Sequence, residues 1–238
     1  MAKPKLPLKD FKWTPKLAYA VGLLVTDGNL SSDQRHIIFR SNDIDLINTF
    51  KKCLALKNRP GVSINKGKMK NTSYKLQFGD VQFYNWLLKI GLTPRKSHTI
   101  GKILVPDQYF RDFLRGHLDG DGTILFYEDR YNNYKGRTYI NQRLYTEFIS
   151  VSEKHIRWLY EKITSLANIK AALIKNAPQN ATRVPMWVIK IAKKNSIKLL
   201  SWIYYQRNLP TLRRKRTLAM LAMATIQKEQ RKLYTKIS

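Results

Sequence analysis

The stretches AVGLLVTDG, at residues 20–28, and LRGHLDGDG, at residues 114–122, decide the fold of this chain. They share a glycine at the third position, a leucine at the fifth and Asp-Gly at the end, so Asp27 is matched by Asp121. A motif repeated within one chain indicates an internal duplication, which sets the architecture before any single element is assigned.

The same series of elements follows each motif. A β-rich stretch ending in serine leads into an amphipathic helix, then two strands with alternating apolar and polar residues, then a second helix. These elements are predicted at residues 36–41, 43–56, 62–66, 74–78 and 81–90, and again at 148–152, 154–167, 171–176, 186–192 and 195–206. The sequence therefore predicts an α+β fold of two pseudo-symmetric αββαββα repeats, at residues 1–105 and 106–238, the second ending in a basic helix.

Each motif predicts an apolar helix that ends at Asp-Gly, where glycine suits the left-handed conformation that closes many helices. Gly22 and Thr26, like Gly116 and Gly120, are small residues four positions apart on one helix face. Two such faces, related by an approximate two-fold axis, allow the helices to approach backbone to backbone. The last aspartates of the two motifs would then lie side by side.

Asp27 and Asp121 would repel each other in that arrangement. A carboxylate at a helix C-terminus opposes the helix dipole at a cost of about 0.3–1 kcal/mol, and two adjacent carboxylates repel by roughly 3 kcal/mol at an effective dielectric near 20. A hard divalent cation removes both penalties and supplies Lewis acidity toward a phosphate. The pair is therefore predicted to bind Mg²⁺ or another divalent cation such as Mn²⁺, whereas Asp119, which has no acidic counterpart in the first motif, is predicted to be a helix-end or solvating residue.

The chain carries a large excess of positive charge, with 44 Lys and Arg against 16 Asp and Glu in 238 residues and a formal net charge of +28. Because 43% of the residues are hydrophobic, the chain can bury a core, and the charge predicts a polyanionic partner, nucleic acid first and an anionic membrane surface second. The single Cys53 excludes internal disulfides and thiolate zinc sites, and four scattered histidines do not support a histidine metal cluster. No apolar run approaches the roughly 18 residues that span a bilayer, and the N-terminus lacks a secretion signal, so an intracellular, non-membrane protein is expected.

The two nonapeptides, their spacing and the order of elements resemble a LAGLIDADG homing endonuclease of the monomeric, two-motif kind, over nearly the whole chain. The resemblance implies that the motif helices form the interface between the repeats, that the antiparallel sheets form a DNA-binding saddle for the major groove, and that each active site hydrolyses one strand to leave a short 3′ overhang. It also implies that Asp27 and Asp121 bind the catalytic metal, with the backbone carbonyls of Thr26 and Gly120 as auxiliary ligands.

The same resemblance implies basic and polar side chains around the reacting water. Lys96 and Lys215 lie in matching basic runs after the last helix of each repeat and take the basic positions, although a simple phosphate contact suits these runs equally well. Asn42 and Glu153 take the polar positions at strand ends. Glu153 departs from the glutamine often found there, and an extra carboxylate would make the two active sites unequal.

Basic and polar residues on the strands are candidates for contacts with DNA. Each could read a base or neutralise a phosphate, and both roles stay open at this stage. The candidates are Arg40, Lys66, Lys68, Lys75, Gln77, Arg137, Tyr139, Arg143 and Lys190.

The leading hypothesis is a site-specific, metal-dependent double-strand DNA endonuclease that acts as a monomer and serves the homing of an intron or similar mobile element. An RNA-binding intron maturase on the same fold, with intron RNA as its partner, is the alternative, and a DNA-binding regulator is a third. Retention of both Asp27 and Asp121 favours cleavage, because a protein that only binds has no need to hold two repelling carboxylates together.

Overall fold

The computed structural model describes residues 11–65, 71–134, 137–177 and 184–235. In this part of the chain the first repeat consists of α1 (Pro15–Asp27), β1 (Gly28–Leu30), β2 (His36–Ser41), α2 (Ile44–Cys53), β3 (Gly61–Asn65), β4 (Asn71–Gly79) and α3 (Val81–Lys89). The second consists of α4 (Asp107–Gly120), β5 (Thr123–Tyr134), β6 (Arg137–Ser150), α5 (Glu153–Leu166), β7 (Ala172–Asn176), β8 (Met186–Ala192) and α6 (Lys193–Ile203), followed by α7 (Arg213–Thr235). The predicted α+β fold of two αββαββα repeats is confirmed.

Each repeat forms one four-stranded antiparallel sheet, and the two sheets have the same strand order, β1-β2-β4-β3 and β5-β6-β8-β7. Side chains alternate between the two faces of each strand. The inner faces pack on helices and are fully or almost fully buried, with Ile37, Phe39, Leu76 and Phe78 in the first sheet and Leu144, Phe148, Ile189 and Ile191 in the second. The outer faces carry polar and charged residues, among them Arg40 and Lys75 in the first sheet and Arg143 and Lys190 in the second.

Helix boundaries differ from the predicted ones where a local backbone feature ends the helix. The helix predicted at residues 43–56 is α2, which starts one residue later because the Asp43 side chain caps its first turn, accepting a hydrogen bond from the Asp45 backbone N–H at 3.0 Å. It ends at Cys53 because Ala55 adopts a positive φ of 52°. In the second repeat, the β-rich stretch predicted at 148–152 is the end of the long strand β6.

The two motif helices α1 and α4 pack backbone to backbone, as expected from their small residues. A Cβ atom added at Gly22 would lie 2.1 Å from the carbonyl oxygen of Phe113, and one added at Gly116 would lie 2.1 Å from the carbonyl oxygen of Tyr19. These distances are far inside van der Waals contact. Glycine is therefore required at both positions for the two repeats to join as they do.

The expectation that the glycine after each motif aspartate adopts a left-handed conformation is wrong. Gly28 has φ −86° and ψ 155°, which is extended backbone that any residue can adopt. Glycine is needed there for space, since an added Cβ would lie 2.5 Å from the carbonyl oxygen of Leu24, and one added at Gly122 would lie 2.6 Å from Leu118 Cδ1. The chain turns sharply back against the last turn of each motif helix.

The connection from α6 to α7 is fixed to the second motif helix by hydrogen bonds from a buried arginine of that helix. Arg115 is fully buried, pairs with Asp112 at 2.7 Å, and donates hydrogen bonds to the carbonyl oxygens of Ile203 and Pro210, each at 2.9 Å. This network places the first turn of α7 beside the end of α4. In the described ranges, no helix is long and apolar enough to cross a membrane.

Candidate active site

Asp27 and Asp121 lie at the paired ends of the motif helices. Asp27 is the last residue of α1 and Asp121 caps α4. A Cβ added at Gly120 would lie 2.8 Å from Asp27 Oδ2 and 2.0 Å from Thr26 Oγ1, so the Asp27 carboxylate contacts the residue that precedes Asp121. Desolvation and then the charge of Asp121 raise the pKa of Asp27 to about 6, and desolvation raises the pKa of Asp121. The structure thus brings together two carboxylates whose charged forms are disfavoured.

Lys96 and Lys215 each bind the carbonyl oxygens at the end of one motif helix. Lys96 Nζ donates to the carbonyls of Thr26 at 3.1 Å and Gly28 at 2.5 Å. Lys215 Nζ lies within hydrogen-bond distance of four carbonyls, those of Leu118, Asp119, Gly120 and Gly122, at 2.7, 3.0, 3.2 and 2.7 Å. An ammonium group placed there satisfies orphan carbonyls and offsets the negative end of the helix dipole.

The two ammonium groups point into the protein. Lys96 is 9% exposed and Lys215 is 8% exposed, and desolvation lowers the pKa of both, that of Lys215 to about 8. The basic runs also allowed a simple phosphate contact by these lysines. Ammonium groups that are buried on main-chain carbonyls do not match that role. Their charges instead lie beside Asp27 and Asp121, whose pKa values they lower in part.

A cleft of about 530 Å³ beside α7 is lined by Gly120, Asp121 and Lys215 of the second repeat. Two further clefts flank the helix ends, which we call the Asp121 cleft and the Asp27 cleft, and each combines one motif aspartate with a residue of the other motif. The first, with a volume of about 230 Å³, is lined by Asp121, Thr26, Lys96 and residues of the second repeat. The second, of about 470 Å³, is lined by Asp27, Gly120 and residues of the first repeat. The expected auxiliary residues Thr26 and Gly120 therefore each lie beside the aspartate of the opposite repeat.

Asn42 and Glu153 differ in position although they were expected to play the same role. Asn42 is exposed and lines the cleft of Asp27. Glu153 begins α5 and its carboxylate pairs with Arg157 at 2.8 Å on the exposed side of that helix. Val151 and His155, two positions to either side, line the cleft of Asp121, but Glu153 is not among the described residues that line it, so the structure does not bring the Glu153 side chain to this cleft.

Asp119 lies at the end of α4, as expected, but it is buried, so the expectation of a solvating residue is wrong. It is 1% exposed, and its Oδ2 accepts hydrogen bonds from the Tyr19 hydroxyl at 2.8 Å and from the Leu212 backbone N–H at 2.6 Å. Burial raises its pKa to about 6. Asp119 therefore ties α1 and the start of α7 to the second motif helix.

Two histidines that are far apart in the sequence meet beside the cleft of Asp121. His117 Nε2 and His155 Nε2 are 3.2 Å apart, and His155 Nδ1 lies 2.8 Å from the carbonyl oxygen of Gly101. Because that carbonyl only accepts, His155 carries its proton on Nδ1, and His117 donates to His155 Nε2. The sequence does not predict this pair, and the one signal of it is that His155 falls on the apolar stripe of α5, with Ile156, Leu159 and Ile163.

The buried histidine pair predicts a loss of stability in acid. Burial lowers the pKa of His155 from 6.5 to about 4 and lowers that of His117 as well. In the unfolded chain these histidines take up protons below pH 6.5, and in the folded chain they do not, so their contribution to stability is complete above pH 6.5 and falls as the pH drops toward 4. For His155 the expected loss is about 3 kcal/mol. Urea unfolding at pH 7 and pH 4.5 should show a smaller pH-dependent loss in His155→Phe than in the parent protein, and equal losses would contradict this account.

The outer face of the first sheet carries three of the residues expected to contact DNA. Arg40 and Lys75 are directly opposite each other on β2 and β4, and Gln77 is opposite Ile38. Directly opposed like charges destabilise a sheet, and neither Arg40 nor Lys75 forms an ion pair within the described ranges. Lys66 and Lys68 lie outside the residues that the structure describes.

The outer face of the second sheet is neutralised by acidic partners. Arg143 pairs with Asp129 at 2.7 Å, and Lys190 pairs with Glu147 at 3.4 Å. All four residues lie on the face opposite the core, on the neighbouring strands β5, β6 and β8. The backbones of Arg137 and Tyr139 form the β6 side of the long hairpin, but their side chains lie outside the described part. Among these residues, the two pairs on the second sheet carry no net charge, whereas Arg40 and Lys75 on the first sheet are both positive.

The helix ends contain the kinds of oxygen that a hard divalent cation prefers. Asp121 shares a cleft with Thr26, and Asp27 shares one with Gly120. The carbonyl oxygens of Thr26 and Gly120 accept from lysines and each have a second lone pair. In the described ranges, no group of three or more His, Cys, Asp or Glu side chains could hold a metal ion. The residues present therefore suit a cation held by Asp27 and Asp121 with main-chain oxygens, and not one enclosed by side chains alone.

Comparisons with known proteins identify the fold. No protein-family model matches the chain, and no curated protein sequence matches it. Among solved structures, the chain is similar to the LAGLIDADG homing endonuclease I-LtrWI bound to target DNA, at 11% identity over 90% of this chain and 91% of that one, with a TM-score of 0.55. It is also similar to the homing endonuclease I-WcaI bound to its DNA recognition sequence (15% identity, 86% and 87% coverage, TM-score 0.55) and to full-length DUF199/WhiA from Thermatoga maritima (15% identity, 96% and 70% coverage, TM-score 0.51). The chain has the LAGLIDADG-type fold in two repeats, as the resemblance in sequence implies.

Proposed function

We propose that this protein is a site-specific, divalent-metal-dependent endonuclease that hydrolyses both strands of double-stranded DNA as a monomer, leaving short 3′ overhangs, and serves the homing of a mobile element. The observation that carries the proposal is the duplicated aspartate, because Asp27 and Asp121 are brought together at the ends of two helices that pack without side chains between them. I-LtrWI and I-WcaI, which share the fold, are homing endonucleases bound to DNA. WhiA shares the fold without that description, so the site and not the fold supports cleavage.

The aspartates are arranged for a cation and not for stability. Each lies at the negative end of a helix, and burial and mutual repulsion raise the pKa of Asp27 to about 6. A protein that only bound DNA would be more stable with amides at these positions. Asp27 and Asp121 would hold Mg²⁺ or Mn²⁺, which when bound supplies Lewis acidity toward the scissile phosphodiester.

The remaining residues of the site shape it around the two aspartates. Lys96 and Lys215 fix the main-chain carbonyls of Thr26 and Gly120 and add positive charge beside the carboxylates. Asn42 lies at the edge of the Asp27 cleft, where its amide can orient a water molecule or a phosphate oxygen. At the matching position of the second repeat, Glu153 is a carboxylate and does not line the Asp121 cleft. We therefore expect the two strands to be cut at different rates.

The outer faces of the sheets are the proposed DNA-binding surface. A duplex would relieve the repulsion between Arg40 and Lys75 on the first sheet, whereas the paired Arg143 and Lys190 on the second sheet add little net charge. The carboxylates of Asp129 and Glu147 would repel DNA phosphates, which disfavours phosphate contacts by the paired Arg143 and Lys190. Arg143 and Lys190 are therefore proposed to read bases.

This difference predicts distinct salt dependences. Arg40→Gln combined with Lys75→Gln should lower the slope of log Kd against log salt concentration by about 2, because two phosphate contacts are lost. The charge-matched control, Asp129→Asn combined with Arg143→Gln, removes one acid and one base and should leave the slope unchanged while altering sequence preference. Fluorescence anisotropy from 50 to 300 mM salt measures both, and equal slopes in the two double variants would contradict the assignment.

Selection of cleaved molecules from a randomised duplex library tests the proposed function. With Mg²⁺ we expect one discrete site cut on both strands, and with EDTA no cleavage. Duplexes that are enriched by binding but remain uncut in Mg²⁺ would instead indicate a DNA-binding regulator. Stronger gel-shift binding of an intron RNA than of any selected duplex would indicate a maturase.

A further inference from the structure

We propose that Ser152 and His155, at the start of α5 in the second repeat, are positioning residues that hold the Lys96 segment of the first repeat in place and thereby set the rate at which the Asp121 cleft cuts its strand. Neither side chain is placed at the reacting atoms. The inference rests on the proposed function for its effect on cleavage, and on hydrogen bonds alone for its effect on Lys96.

Lys96 is carried by a turn and not by a helix. Its backbone carbonyl accepts hydrogen bonds from the backbone N–H groups of Thr99 at 3.0 Å and Ile100 at 2.8 Å, and the chain then runs toward α4 without regular structure. A lysine side chain gains its fixed geometry at a cost of about 2 kcal/mol in rotamer entropy. The turn must therefore be anchored if the ammonium is to stay on the carbonyls of Thr26 and Gly28.

The anchor comes from the other repeat. Ser152 Oγ donates a hydrogen bond to the carbonyl oxygen of Ile100 at 2.5 Å, and His155 Nδ1 donates to the carbonyl oxygen of Gly101 at 2.8 Å. Both side chains are 2% exposed. On the side away from Gly101, the His155 ring is hydrogen-bonded to His117 and packs on the ring of Trp158. Two buried hydrogen bonds to adjacent carbonyls fix both the position and the direction of the chain four and five residues beyond Lys96.

Lys215, unlike Lys96, is held in place by contacts within its own repeat. It lies in the first turn of α7, and the chain just before that helix is fixed within the same repeat by the buried carboxylate of Asp119. In the part of the chain that the structure describes, the ion pair that joins the matching helix start in the first repeat to the Lys215 segment is Asp43–Arg214, which is largely exposed, at 3.3 Å. Such pairs contribute about 0–1 kcal/mol. Loosening the α5 anchor should therefore affect one lysine and one cleft.

The test uses two isosteric substitutions at position 155. The amide nitrogen of asparagine occupies the place of Nδ1, whereas that of glutamine occupies the place of Nε2, so His155→Asn can keep the bond to Gly101 and His155→Gln cannot. Ser152→Ala removes the bond to Ile100, and His98→Gln, at an exposed position in the same turn, is the matched control. Urea unfolding confirms that each variant is folded before it is compared.

The first readout is the rate of lysine acetylation measured by mass spectrometry, which needs no cleavage activity. We expect Lys96 to react roughly 10-fold faster or more in Ser152→Ala and His155→Gln, with Lys215 unchanged as the internal reference and with parental rates in His155→Asn and His98→Gln. Unchanged reactivity of Lys96, or equal increases at both lysines, would overturn the inference.

The second readout is cleavage of each strand, followed with separate end labels. We expect His155→Gln to slow one strand by roughly 10- to 100-fold and to accumulate nicked duplex, because misplacement by about 1 Å costs that much, and Lys96→Met to slow the same strand. Equal slowing of both strands would overturn the inference. If the parent protein cuts neither strand while Lys96 alone becomes reactive, the proposed function fails and the anchoring of Lys96 stands.

Discussion

Asp27→Asn and Asp121→Asn are each expected to abolish double-strand cleavage, by at least about 10³-fold, while DNA affinity stays within a few-fold of the parent value. Asparagine keeps the shape of the side chain and loses the charge that attracts a divalent cation, and a bound metal contributes several kcal/mol to such a reaction. Affinity is preserved because the DNA-binding surface lies on the sheets, and removal of a carboxylate lowers repulsion toward phosphates. Plasmid cleavage and anisotropy on the same preparations measure the two effects.

Asp45→Asn is the matched control for these variants. Asp45 is exposed in the first turn of α2 and lines neither cleft, although its neighbours Asp43 and Leu46 line the cleft of Asp27, so the same chemical change should leave cleavage unaltered. Undiminished cutting by either motif variant would remove that aspartate from the active site. Loss of DNA binding in parallel with cleavage would show that the change acts through folding.

Gly22→Ala and Gly116→Ala are expected to destabilise the protein by at least about 3 kcal/mol each. The added methyl groups would lie 2.1 Å from the carbonyl oxygens of Phe113 and Tyr19, and backbone atoms cannot rotate away as a side chain can, so the two helices must separate. The sign of the change in the free energy of unfolding is informative, because Gly→Ala in an exposed helix interior stabilises a protein by about 1 kcal/mol.

Urea unfolding measures this effect, and Gly101→Ala is the control, since an added Cβ at Gly101 meets no atom within 4 Å. If Gly22→Ala were as stable as the parent protein, the close packing of the motif helices would be wrong. The arrangement of Asp27 and Asp121 that depends on this packing would then be wrong too.

The repeated pattern was sufficient to predict the fold. Matching glycines at 22 and 116 predicted the close approach of the helices, and period-two alternation in residues 74–78 and 186–192 predicted strands with one buried face. These features are local in sequence, or are repeated in register, so a single chain displays them. The resemblance to LAGLIDADG proteins added the interface and the saddle, and similar solved structures confirm the fold.

Much of the candidate site depends on contacts between residues distant in sequence. The fourfold carbonyl contact of Lys215 joins residues more than 90 positions apart, and the His117–His155 pair joins residues 38 apart. Nothing in the basic run around Lys215 distinguishes an ammonium turned inward from one that faces solvent. Asp119 has the same difficulty, because an acid at a helix end is normally solvated and only the positions of Tyr19 and Leu212 make it a buried link.

Mn²⁺ binding to the protein in complex with its selected duplex tests most directly whether Asp27 and Asp121 together hold a divalent metal. Electron paramagnetic resonance reports free Mn²⁺, so a titration gives the amount bound without any need for turnover. We expect the parent complex to bind Mn²⁺ tightly and the complex of the Asp27→Asn, Asp121→Asn double variant to lose this binding. The Asp45→Asn complex should bind Mn²⁺ as the parent does. Equal Mn²⁺ binding by the parent and the double variant would contradict this expectation.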